Sequence, residues 1–347
     1  MVFTLTNTIG KYAKNPPGGA IANMVIVGVG GTMLASSTDG NPWASRTPNA
    51  FSNLDGGGSG VAYGNGLWVA VGTNGGNTSI KNVSTSTNGT TWIGQTSNAG
   101  ISSIAKVAYG KNSSGNGVWV MCGSNKFATS TNGTSWTACA TNGGLNSAVV
   151  NVAFGKDNLG ADLWIGIGWA SIAANNIVKS TDGGNSWATC NSNGGISPIG
   201  RCVAYGLDNA SQPLWVAGGD NGTIATSPNG STWYPCASNG GITSEVFGVA
   251  YGKDDLGVGL WVAVGNGTNK IATSPNGTTW TGRSVAGLTN GGNSVAYGQD
   301  ALGNWLWVAV GSGGNIIATS INGTTWNGVT SNGGLTRGSC VAFKTTI

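Results

Sequence analysis

The sequence predicts an all-β fold: a seven-bladed β-propeller of four-stranded antiparallel blades, the last blade closed by strands from both the N- and the C-terminus. Three observations carry this reading. One short stretch, Ser-x-Asn/Asp-Gly-x-x-Trp, recurs along the chain. A second set of short apolar runs keeps step with it, and the two ends hold complementary parts of one repeat. Radial repetition of four-stranded sheets leaves only short, protected edges.

The recurring stretch is typified by Ser274-Pro275-Asn276-Gly277-Thr278-Thr279-Trp280. It returns at residues 37–43, 86–92, 130–136, 180–187, 227–233 and 320–326, the copy at 180–187 being one residue longer. From Trp43 to Trp326 the mean spacing is about 47 residues, a period typical of repeat architectures. Its chemistry is that of a tight hairpin. Asn-Gly and Asp-Gly supply the positive φ that a two-residue turn needs. The Ser and the Asn or Asp hydrogen-bond to nearby backbone, and the Trp opens the returning strand with a large apolar ring. Nothing in the stretch asks for a substrate, so it reads as structural.

The strands follow in order. Val61-Ala62-Tyr63-Gly64 precedes Leu67-Trp68-Val69-Ala70-Val71-Gly72, and the pair returns at Val107 with Val118, Val152 with Leu163, Val203 with Leu214, Val249 with Leu260 and Val295 with Leu306. The second run is almost wholly apolar, as expected of a strand covered on both faces. A third run, such as Ile271-Ala272-Thr273-Ser274, precedes each turn, and a fourth is expected to begin at the motif Trp. Residues 24–43 supply strands two, three and four only, starting with Met24-Val25-Ile26-Val27. Cys340-Val341-Ala342-Phe343 is a first strand with nothing after it, so the tail is expected to complete the N-terminal blade. Residues 1–22 stand outside the repeat as an N-terminal extension, with Phe3 and Leu5 alternating with Thr and a breaker at Pro16-Pro17-Gly18-Gly19; residues 23–347 form the propeller. The extension is expected to pack on the body or attach it to something larger.

Composition narrows the function. The chain has 15 basic and 11 acidic side chains, no His, and only 7% charged residues. Phosphate contacts need clustered Lys and Arg, so nucleic acid is not expected as a partner. No run reaches the roughly 18 apolar residues of a membrane span, and the first residues lack the basic-then-apolar order of a secretory signal. An exposed surface rich in Gly, Asn, Ser and Thr would suit a virus or phage particle released by lysis. Cys139, Cys190 and Cys236 each fall three residues after a motif Trp, on different repeats, so free thiols are expected rather than disulfides. Without His or Cys-x-x-Cys spacing no zinc site is expected, and no cofactor is implied. Loops such as Lys253-Asp254-Asp255-Leu256-Gly257 offer too few oxygens for calcium and read as Asp-opened turns.

The boxes, above all Ser180-x-Asp182-x-Gly184-x-x-Trp187, resemble the Asp-box (BNR) repeats of sialidase-like β-propellers from residue 24 onward. Five of the seven have Asn for Asp and six are one residue short, changes that preserve the turn. The resemblance implies that the boxes lie between the third and fourth strands, on the side away from the functional face. The fourth-to-first and second-to-third loops would then share that face.

Those loops carry the candidates. The fourth-to-first loops repeat Asn-Gly-Gly or Asn-Ala-Gly and are expected to hold Arg201, Arg283, Arg337 and the only Glu, Glu245; second-to-third loops are expected to hold Asp220 and Trp169. Polar groups beside an aromatic ring suit a sugar or another polar ligand, although isolated charges are also ordinary on exposed loops. The resemblance to sialidases further implies an Arg cluster, a Tyr–Glu nucleophile pair and an Asp acid. Here Tyr63, Tyr109, Tyr205, Tyr251 and Tyr297 fill one repeated strand position, which makes them core. Only Tyr12 and Tyr234 are left over, and Arg46-Thr47-Pro48 is the nearest approach to the family's Arg-Ile-Pro. Another glycosidase would need two carboxylates roughly 5 Å or about 6.5–9.5 Å apart, for which Glu245 and Asp220 are the candidates. The reading best supported is a non-enzymatic recognition or structural module that binds a glycan or protein partner. The alternatives are a glycoside hydrolase using Glu245 and Asp220, and an architectural protein that assembles through its blade edges or extension.

Overall fold

The structure, a computed structural model, describes residues 21–30, 33–46, 57–73, 81–170, 176–285 and 287–344 of the 347. Residues 1–20, including Phe3, Leu5, Tyr12 and the Pro16–Gly19 breaker, lie outside the described residues, as do Thr47 and Pro48.

The described strands form seven separate four-stranded antiparallel sheets. Blade 1 joins Leu335–Phe343 to Met24–Gly30, Leu34–Ser37 and Ala44–Arg46, in that order. Blade 2 runs Gly58–Gly64, Leu67–Gly72, Val83–Ser86 and Ile93–Gln95, and blades 3 to 7 start at Ile104, Ala148, Gly200, Val246 and Gly291. The ring closes in blade 1, where Met24 pairs with Phe343 and the ladder continues to Gly30 with Leu335.

Two boundaries differ from expectation. The closing strand begins at Leu335, five residues before Cys340, because it continues across a bulge to pair with Gly28–Gly30. The motif Trp also precedes the fourth strand: blade 6 resumes at Thr281, not Trp280. The Trp belongs to the turn, because its Nε1 donates back to the box glycine, from Trp280 to Gly277 O at 3.0 Å and from Trp326 to Gly323 O at 2.8 Å. In the same turns the Ser Oγ accepts the glycine N–H, as in Ser320 with Gly323 at 2.8 Å, and Asn322 Oδ1 accepts from Thr324 and Thr325. The turn thus satisfies most of its polar groups locally, although the buried indole N–H groups of Trp136 and Trp233 find no partner, and Gly277 at φ 77° takes the left-handed step.

Blades hold one another through their broad faces. The repeated second-strand tryptophans Trp68, Trp119, Trp164, Trp215, Trp261 and Trp307 are wholly buried, and Trp164, Trp215, Trp261 and Trp307 each donate their indole N–H to a backbone carbonyl of the preceding blade. The repeated Tyr position packs against this Trp, with centroids 5.0 Å apart for Tyr251 and Trp261, and lies over the last glycine of the preceding first strand. A methyl group at Gly206 would overlap Tyr251, so this glycine is required by close approach. Each of the five tyrosines is partly buried in ring contact with a second-strand Trp, which makes them packing residues. All six cysteines are free. Burial pushes the Cys122 and Cys202 thiols up to about 12.

Antiparallel order fixes the faces. The first-to-second loops and the boxes share one end of every blade; the second-to-third and fourth-to-first loops share the other.

Candidate functional site

At the loop end, a bulge interrupts the first strand of every blade at an equivalent place. The extra residues are Ser59, Ala105, Val150, Arg201, Phe247, Asn293 and Ser339. A bulge leaves one residue unpaired and re-aims its side chain. Several of these residues reach the next blade: Ser59 Oγ donates to Ile104 O, and Asn293 Nδ2 donates to Gly338 O at 2.8 Å. On blades 5 and 6 the bulge brings Arg201 over the Phe247 ring, 5.0 Å from its centroid. That geometry is a cation–π contact.

Arg201 is also held from its other side. Its Nε donates to Asp220 Oδ1, and both side chains are mostly buried, with 25% and 14% of their surface exposed. Asp220 of blade 5 in turn forms a backbone bridge with Glu245 of blade 6. Directly opposed residues of an antiparallel pair stand side by side, and like charges there repel. The neighbours relieve this. The Glu245 carboxyl is pushed below the ordinary carboxylate range by hydrogen bonds from Ser244 and from Asn266 Nδ2 (3.1 Å) and by the Arg201 charge, which outweigh its desolvation.

The same rim continues toward blade 4. Trp169 bridges Ile199, whose carbonyl accepts from Asp220 N at 3.0 Å. Trp169, Ile199, Asp220 and Glu245 therefore form one backbone-linked row across three blades. Three inter-strand steps make it about 14 Å long. The Trp169 ring stands 48% exposed at one end.

The structure thus brings together four of the six sequence candidates, and moves several of them. Arg201 lies on the first strand of blade 5, not in a loop, and Trp169 is the last residue of the second strand of blade 4. Arg283 ends the fourth strand of blade 6, where its Nε donates to Thr273 Oγ1 at 2.8 Å. Arg46 and Gln95 fill the same place in blades 1 and 2 and bond Ser36 and Thr85, so Arg283 is a repeated brace. Arg337 lies in the closing strand opposite Val29, two blades from Glu245. Neither joins the row. The Asn-Gly-Gly loops are turns as well: Asn239 Oδ1 accepts from Gly241, Asn239 O accepts from Ile242, and Ile242 is buried. Ser244, Asn266 and Phe247 complete the site and were not anticipated. The available signal was Phe247 itself, a large aromatic where the other repeats carry small, polar or charged residues.

Among the described residues no three His, Cys, Asp or Glu side chains gather to hold a metal, and no helix is long and apolar enough to cross a membrane. A depression of about 290 Å³ lies at the other end, on blade 7, lined by Leu306, Ile321, Asn322 and Thr325 among others; it holds no ionisable group and is remote from this row.

No protein-family profile matches the chain, and no curated protein matches it in sequence. Solved structures do. A GH74 enzyme from Niastella koreensis matches 88% of this chain at 18% identity and a TM-score of 0.52. YCF48 bound to a D1 peptide matches 88% of both chains at 18% identity and 0.53, and virginiamycin B lyase from Staphylococcus aureus matches 80% of this chain and 85% of its own at 12% identity and 0.56. These define the chain as a seven-bladed β-propeller resembling those of GH74 enzymes and YCF48. At such identities the likeness is one of fold. The chain also spans under half the length of the GH74 enzyme, 44% of it.

Proposed function

We propose that the protein is a non-enzymatic recognition propeller, binding a glycan along the row Trp169–Asp220–Glu245 at the loop end, with Arg201 and Phe247 as its support. One observation carries this reading: an exposed indole and two carboxylates are fixed in line by backbone bridges between blades. Exposed indole faces stack on the apolar faces of sugar rings, and fixed carboxylates accept hydroxyl hydrogen bonds. The row is long enough for a short oligosaccharide. Binding of wild type, Trp169→Ala and Glu245→Gln to a glycan array tests it. The expected result is a saccharide bound by wild type and lost in both variants, in Trp169→Ala at unchanged thermal stability; equal binding by all three would refute it.

The hydrolase reading is weaker on electrostatic grounds. A glycosidase general acid needs its pKa raised, whereas Glu245 is held down and Asp220 is committed to Arg201. Turnover of chromogenic glycosides by wild type, abolished in Glu245→Gln, would restore it. A peptide ligand is the second reading, favoured by the similar propeller YCF48, which is seen bound to a peptide.

A further inference from the structure

The opposite end of the ring carries a feature that neither the fold nor the glycan row uses. In blades 4 to 7 the first-to-second loop is one repeated turn. Asp157, Asp208, Asp254 and Asp300 each accept, through Oδ1, the backbone N–H groups two and four residues on, at 2.8–2.9 Å. The residue two positions after the Asp stands at the tip. In three of the four blades it is leucine: Leu159, Leu256 and Leu302 are 87%, 84% and 80% exposed, and Trp305 close by is 51% exposed. Trp305 lies flat on Tyr297, with centroids 4.9 Å apart and planes 4° apart, so its outer face is presented rigidly. Four apolar side chains raised into water at one end gain nothing for the fold. The loops are also acidic. Residues 156–162, 207–212, 253–258 and 299–304 hold six of the chain's eleven carboxylates against two ammonium groups, Lys156 and Lys253, although the whole chain carries +4.

A partner for this arc must be apolar and basic. We infer that the arc receives residues 1–20 of the same chain. That segment contains Val2, Phe3, Leu5, Ile9 and Tyr12, with Lys11 and Lys14 and no acidic side chain. It also leaves from the right end. Ala22 N donates to Asn88 O at 2.8 Å, in the box turn of blade 2, so the chain passes residue 21 at the acidic, box-bearing end. Twenty residues reach up to about 65 Å when extended, more than the roughly 50 Å breadth of a compact chain of this length. The segment thus has the composition, the charge sign, the starting point and the reach to cross the leucine tips.

Limited trypsin digestion of the full-length protein, read by mass spectrometry, tests this at Lys11 and Lys14. Wild type is expected to be cut there at least tenfold more slowly than a variant with Leu159→Asp, Leu256→Asp and Leu302→Asp. The tips are solvent-exposed, so the variant keeps its thermal midpoint. Raising the salt should speed cleavage in wild type by weakening the Lys–Asp attraction. Cleavage of Lys11 and Lys14 at the same rate in both proteins would overturn the inference. So would a doubled mass in solution that falls back to monomer in the variant, since the segment would then cover a second copy. If the variant loses thermal stability, Trp305→Ala read by the same digestion replaces it.

Discussion

The two ends of the propeller are built from different kinds of information. At the box end one solution is repeated: a serine accepts the N–H of the box glycine, as at Gly89, Gly133 and Gly323, and in most blades the Trp indole donates back to that glycine. At the loop end the backbone plan is just as regular, with a bulge in every first strand, but the side chains on it are not. Among the described residues, only blades 4 to 6 combine an exposed indole, a guanidinium on an aromatic ring and two opposed carboxylates. Repeated residues therefore specify the ring, and departures from the repeat mark the row proposed to meet a ligand. The two sets should separate cleanly under mutation.

The largest effect is expected between blades. Trp261→Ala removes a fully buried indole and its bond to Leu207 O, and should cost about 3–5 kcal/mol, seen as a lower urea midpoint. Gly206→Ala forces a methyl group against Tyr251 and should cost about 1–3 kcal/mol. Ser320→Ala strips the acceptor from the buried Gly323 N–H and should cost about 1–3 kcal/mol in the same assay. None of the three should change the affinity of the folded protein. Trp169→Ala, on the rim, should shift stability by under about 0.5 kcal/mol.

The smallest effect is a pH dependence. Glu245 has a folded-state pKa below its ordinary value near 4.5, so its carboxylate contributes stability above that value and loses it as the pH falls through the folded one. Urea midpoints of wild type should therefore decline slightly more between about pH 5 and 3 than those of Glu245→Gln. An identical slope would remove the argument that Ser244, Asn266 and Arg201 hold this carboxylate charged.

Much of the ring could be read directly. Leu67–Gly72 and Ile271–Ser274 appear with the boundaries expected of them, Leu67 entering from the two-residue Asn65-Gly66 turn. The box turn is wider than the two residues expected: residues 275–280 separate Ser274 from Thr281, and its glycine, not its Asn, takes the positive φ. The fourth strands begin late because the Trp is drawn into the turn, in most blades by a bond from its indole to the box glycine, a contact that hydrophobic pattern does not reveal. The site was legible as residue types but not as a place. Arg201, Asp220 and Glu245 are drawn together by a bulge and an inter-blade bridge, and neither leaves a mark in local sequence. Arg283 lies apart from the row: comparison with Arg46 and Gln95 shows a brace that happens to be charged in two blades.

The central claim is that departures from the repeat, not the repeat itself, do the binding. Its most direct test is the affinity, per folded molecule, of Trp169→Ala and Ser320→Ala for whichever array glycan wild type holds best. The account predicts that Trp169→Ala loses that glycan at an unchanged midpoint, and that Ser320→Ala keeps it at a lowered one. The reverse outcome, with the rim variant unstable but binding and the box variant stable but blind, would contradict it.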